Sequence, residues 1–182
     1  SSSIFRWLVP AKLRKLAYGQ HTGFGLFFRL TAEVSRAALR QAVASPGSCQ
    51  NGGMPPAIIL STLNAKYIHA SLGLRYLLAN MARHGGADLR ERTVLREFTI
   101  ARPVQEIVDA LLAELGEPDD GAVQVVGFGV YIWNVVPSTE VVRRLKQARP
   151  ALKIVLGGPE VSYEWADQEI VRLADHLITG WG

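Results

Sequence analysis

The sequence predicts an α/β fold of three layers: a doubly wound parallel sheet of five strands, in the order 2-1-3-4-5, with a helical N-terminal extension. Three observations predict it. From Ala57 onward, short apolar runs alternate with amphipathic ones, and repeated strand–helix–strand units pair in parallel through right-handed crossovers. The apolar runs "AIILSTL" and "VQVVGFGVYIW" are nearly continuous, which fits strands covered on both faces. Helix punctuation also falls where the pattern needs it: Gly85-Gly86 stop the first helix of this region, Pro103 opens the next and Gly116 follows its end.

The chain divides in two. Residues 1–53 are predicted as a basic helical extension and linker, and 54–182 as the domain. In the first part, "IFRWLVPAKLRKLAYG" and "LFFRLTAEVSRAALRQAVA" have helical apolar spacing, and "GQHTGFG" breaks them. "SPGSCQNGGMPP" reads as a linker, because Pro, Gly, Ser and Asn dominate it. Residues 1–50 carry seven Lys/Arg against one acid, Glu33, so the formal charge of +4 belongs to the extension. The rest is slightly acidic, which argues against nucleic-acid binding by the fold. Four readings of the extension stay open: a targeting segment, a membrane-surface helix, a helical extension packed on the domain, or upstream sequence of little function.

In the domain, "AIILSTL" is the first strand, and "HASLGLRYLLANMARHGG" follows as a helix with Leu72, Leu74, Leu77, Leu78 and Met81 at helical apolar spacing. "RTVLREFTI" is the second strand and "PVQEIVDALLAELG" the second helix. "VQVVGFGVYIW" is the central third strand. "STEVVRRLKQARP" is a helix capped by Ser138 or Thr139. "LKIVLGG" is the fourth strand, "YEWADQEIVRLA" a helix and "DHLITG" a short fifth strand. Strand order 2-1-3-4-5 is the flavodoxin-like arrangement.

Composition excludes several chemistries. One cysteine, Cys49, rules out an internal disulfide framework. It also rules out an iron–sulfur cluster or zinc site built only from this chain's thiolates. No apolar run approaches the ~20 residues a spanning helix needs, so a cytoplasmic protein without a transmembrane segment is expected. There is no G-x-x-x-x-G-K-[ST], H-E-x-x-H or G-x-S-x-G pattern. A receiver's acceptor aspartate is missing from the third strand end, where Tyr131 to Asn134 stand.

In such sheets ligands bind at the carboxyl ends of the strands, beside the point where strand order reverses. The loops there carry the candidate residues. Gly157 and Gly158, followed by Pro159, leave the backbone bare either for a ligand or for a tight turn. Gly127 and Gly129 suggest close approach by a ligand or by a packed helix; the offset to Ile132 breaks any dinucleotide fingerprint. Tyr131, Trp133 and Asn134 are ligand-facing groups or a cap on the core. The first loop offers Asn64, Lys66, Tyr67 and His69, and no acid stands beside His69 to form a proton relay.

Together, "AIILSTLNAKYIHASLGLRYLLANM", "VVGFGVYIWNV", "KIVLGGPEVSYE" and "ADHLITGWG" resemble the N-terminal cobalamin-binding domain of cobalamin-dependent radical SAM proteins, over roughly Pro56 to Gly182. The resemblance implies a cobalamin cofactor whose nucleotide tail enters at the carboxyl edge of the sheet. It implies cofactor contacts from Ser61, Asn64, Tyr67, His69, Gly127, Gly129, Tyr131, Asn134, Gly157, Gly158, Pro159, Thr179 and Gly180. Asn64, Asn134 and Thr179 are expected to hydrogen-bond corrin amides, and Gly157-Gly158 to line the tail slot. The related corrinoid motif Asp-x-His-x-x-Gly is not matched. Lys66 stands for the Asp, Ile68 for the His and Ser71 for the Gly, with His69 one place off. No axial histidine ligand to cobalt is therefore expected.

A radical SAM cluster needs three cysteines, so this polypeptide alone is not expected to be catalytic. The reading is a fragment, a truncated product or a stand-alone carrier acting with a radical SAM domain or separate subunit. Two alternatives remain: a flavodoxin-like domain for a nucleotide or flavin, and a non-catalytic interaction domain.

Overall fold

The computed structural model describes residues 56–118 and 122–179. The predicted helices and linker of residues 1–53, and Gly180, lie outside them. Strands β1 (Ile58–Asn64), β2 (Thr93–Thr99), β3 (Val125–Gly129), β4 (Lys153–Gly157) and β5 (His176–Leu177) form one parallel sheet in the order β2-β1-β3-β4-β5. The predicted order is the observed one. All seven residues of β1 are buried, as its continuous apolar run requires of a strand flanked on both sides.

Side chains alternate between the two faces of the sheet. On one face, Ile58, Leu60, Val125 and Val155 pack with Leu74 and Met81 of α1 (Leu72–Gly85) and Leu89 of α2 (Ala87–Glu91). On the other face lie Ile59, Leu63, Val126, Phe128, Ile154 and Leu156. Three helices cover that face: α3 (Val104–Leu115), α4 (Val135–Ala148) and α5 (Glu169–Leu173). Full burial of a Leu, Ile or Val contributes about 1.5–3 kcal/mol, so these clusters hold the strand ends in place.

Three elements differ from the sequence prediction. A second short helix, α2, follows α1 directly, because Gly86 at φ 94 both caps α1 and starts α2. The third strand ends at Gly129 and α4 begins at Val135, ahead of the predicted Ser138 or Thr139 cap. Asn134 is the N-cap; Pro137 sits in the first turn, where a missing N–H costs nothing. Ser138 is buried inside α4, and the Thr139 hydroxyl donates back to the Val135 carbonyl. The predicted helix over 163–174 is broken. Glu164 takes a left-handed φ of 48, leaving 3-10 turns at Pro159–Val161 and Trp165–Asp167 before the five-residue α5.

Candidate functional site

The sheet divides at its carboxyl end. The β1–β3 ladder runs from Ile58↔Val125 only to Ser61↔Phe128. On the outer sides, β1 stays paired with β2 up to Asn64↔Thr99, and β3 with β4 up to Gly129↔Gly157. The Val130 amide still donates to the Gly157 carbonyl at 2.8 Å. A split therefore opens between β1 and β3, the point where strand order reverses and where such sheets take their ligands.

One side chain bridges the split. Asn134 is fully buried. Its Nδ2 lies 3.0 Å from the Leu63 carbonyl on β1, 3.2 Å from the Gly129 carbonyl on β3 and 3.2 Å from Thr62 Oγ1. Its Oδ1 accepts the Tyr131 amide at 2.8 Å. The Thr62 hydroxyl donates to the Gly129 carbonyl at 2.8 Å. These polar groups are satisfied by the chain itself, as burial demands.

A second clasp holds the β1–α1 loop. Glu97 of β2 accepts from the Ser71 amide at 2.5 Å, from Asn64 Nδ2 at 3.2 Å and from Arg75. Asn64 Nδ2 also donates to the His69 carbonyl at 2.9 Å, and Ser71 caps α1. Burial pushes the Glu97 carboxyl up, but the hydrogen bonds from Ser71 and Asn64 and the Arg75 charge outweigh it and hold it below the ordinary carboxylate range. The loop is thereby pinned at both ends, with Tyr67, Ile68 and His69 exposed between.

The predicted glycines have unlike environments. Gly158 has φ 116, and a Cβ there would stand 2.4 Å from the Val130 carbonyl oxygen. The chain's own packing requires that glycine. Among the described residues, a Cβ on Gly157 would meet only Ile178 Cβ, at 4.0 Å, so none of them demands a bare backbone there. A Cβ on Gly129 would touch Leu74 and Thr62 at 3.5 and 3.6 Å. Thr62, Gly129 and Gly157 share one level of the sheet on the α1 face, which makes that face shallow just where the strands end.

Ser61 lies elsewhere. By alternation it belongs with Ile59 and Leu63 on the α4 side, fully buried, and its hydroxyl has no protein partner. Its neighbour Thr62 is the one that meets Gly129, a distinction that strict period-two counting from Leu60 would have made. Gly127 is level with Leu60 and Val155 beneath α1. Pro159 opens the first 3-10 turn, and Thr179 is exposed beyond β5. The amide hydrogens of Asn64 and Asn134 are spent within the protein.

The rim is apolar. Tyr67, Ile68, Leu72, Tyr76, Ile100, Ile132, Trp133, Val136 and Tyr163 are the exposed large hydrophobics among the described residues. All nine follow strand ends or sit in the first two turns of the next helix. Tyr131 and Trp133 stack with centroids 4.7 Å apart and planes 6° from parallel. The Tyr131 hydroxyl lies 4.0 Å from where a Gly73 Cβ would be, so the stack leans over the start of α1. Exposed apolar surface gathered at one edge marks a binding face.

The model of the B12 binding domain family matches residues 59–182. The chain belongs to the B12-binding domain family. Among curated proteins none matches it. The split, the level of small residues and the apolar rim of this B12-binding domain lie together at the carboxyl end of the sheet. Among the described residues, no three His, Cys, Asp or Glu gather as a metal site. No helix among them is long and apolar enough to cross a membrane.

Proposed function

We propose that this B12-binding domain carries cobalamin for a partner of the radical SAM type. The nucleotide tail enters beside Gly157 and the corrin ring rests on the apolar rim. The observation that supports this most is Gly157 itself. It is bare although no described residue needs it so, whereas its neighbour Gly158 is bare because Val130 requires it. A small residue at the closest approach is what burying a flat aromatic base asks of the protein. When bound, cobalamin supplies organometallic group-transfer chemistry. The chain's residues bind, orient and shield it. Glu97 and Asn64 fix the loop under the ring, the Tyr131–Trp133 stack forms its apolar wall, and the exposed Thr179 offers a hydroxyl for corrin amides.

These 182 residues hold one cysteine, so a cluster's three thiolates would come from a radical SAM domain or a separate subunit. His69 lies exposed on the pinned loop, which carries no other histidine, and in this reading cobalt takes no protein nitrogen below. Mixing the protein with hydroxocobalamin should give co-eluting corrin absorbance on gel filtration. The Co(II) form should show no nitrogen hyperfine splitting that His69→Ala removes. Gly157→Leu should abolish retention while leaving the melting temperature within a few degrees. Parent-level retention by Gly157→Leu would falsify the tail placement, and no retention by the parent would end the cobalamin reading.

A further inference from the structure

We infer that Asn134 is the positioning residue of the split: its carboxamide spans the parted ends of β1 and β3, fixes how far they open, and so sets where the end of β3, whose Gly129 pairs with Gly157 of β4, stands for a flat group entering beside Gly157. The inference rests on the tail entry proposed above and deepens it. Asparagine at an N-cap ordinarily turns its side chain onto the helix's free N–H groups. This one makes no such bond to α4. It reaches instead across the sheet to the Leu63 carbonyl, 71 residues away in sequence.

The position explains the choice. Beyond Ser61↔Phe128 the two strands no longer pair, and the carbonyls of Leu63 and Gly129 meet through one NH2 group instead of through a ladder. The amide orientation follows from its neighbours: the Tyr131 N–H can only donate, so Oδ1 faces it and Nδ2 faces the carbonyls. A planar group held at both ends sets a fixed gap. The same group ties down the Tyr131 amide at the base of the Tyr131–Trp133 stack, so gap and wall are placed together. Such preorganisation removes an ordering cost from binding.

Two variants and two corrinoids test this. Hydroxocobalamin has the nucleotide tail, and cobinamide has the ring without it. The parent is expected to prefer hydroxocobalamin by about tenfold or more. Asn134→Asp keeps the shape and the acceptor for Tyr131 but loses both amide hydrogens. Its preference should fall toward one, with cobinamide affinity changed less than about twofold, since the ring's platform is intact. Hydrogen exchange without ligand supplies the second reading. Asn134→Ala should lose about tenfold of the protection at the Tyr131 amide, whereas Asn134→Asp keeps it, and the core amides of Ile59 and Val126 are unchanged in both. A parent-like preference in Asn134→Asp, or parent-like Tyr131 protection in Asn134→Ala, overturns the inference. If the parent binds neither corrinoid, the proposed function fails and the tail-entry role falls with it. The exchange result then decides separately whether Asn134 holds the split.

Discussion

A Cβ on Gly158 would stand 2.4 Å from the Val130 carbonyl oxygen and 2.9 Å from its nitrogen. The backbone of 158 to 160 is folded onto Val130, and the Glu160 amide points at the same carbonyl at 3.4 Å. Gly157 has no comparable neighbour. Gly158→Ala combines a forbidden overlap with a positive φ and should cost about 3 kcal/mol or more. Gly157→Ala should stay within about 1 kcal/mol. Urea midpoints of the two variants check this; equal losses would mean that both glycines serve the turn.

Thr62 and Ser61 form a second contrasting pair. Thr62→Val removes the hydroxyl that donates to the Gly129 carbonyl and accepts from Asn134, and should cost about 1–2 kcal/mol. Ser61→Ala removes a buried hydroxyl without a protein partner and should be neutral or stabilising. Denaturant melts rank them, and a Ser61→Ala loss as large as that of Thr62→Val would show that Ser61 has a partner after all.

The Glu97 clasp carries a pH signature. Its folded pKa lies below the ordinary value of 4.5, so its stabilisation is complete above that value and fades as pH falls through the depressed one. Glu97→Gln should lower stability by about 1–2 kcal/mol at pH 7, a charged hydrogen bond discounted for its partly exposed Arg75 partner. The gap between parent and variant should narrow as pH falls below 4.5 and close only below the depressed value. Melts from pH 3 to 7 measure it, and a constant gap would remove the carboxylate from the account.

The rim residues are expected to matter for binding and not for folding. Ile132→Ser with Val136→Ser touches side chains that are 75% and 78% exposed, so stability should shift by no more than about 0.5 kcal/mol each. Hydroxocobalamin affinity should fall at least about tenfold. Unchanged affinity in the double variant would separate this patch from the ring.

The fold was legible because each strand carries its own apolar run and each helix its own stop. What the sequence concealed was the course of the chain between strands. "GVYIWNVVPS" reads as strand because Val130, Tyr131 and Ile132 favour it. Asn134 turns the chain there through contacts with β1, 70 or more residues away. Likewise the helix expected over 163–174 has adequate propensity but yields to Glu164's left-handed turn. Among the candidate site residues, Gly157, Tyr131 and Trp133 stood out in the sequence as unusual residues at strand ends. Glu97 was not, because a single acid in a strand gives no sign that it clasps Asn64 and Ser71 of the neighbouring loop.

The all-buried β1 has a consequence for biosynthesis. It leaves the ribosome first among the five strands, yet its Thr62 bonds to Gly129, 67 residues later. Until β3 is made, one long edge of this fully buried strand stays unzipped, and long-range parallel pairing forms slowly. For that interval its apolar edge is exposed to aggregation, and a pause in translation between β2 and β3 would lengthen the exposure.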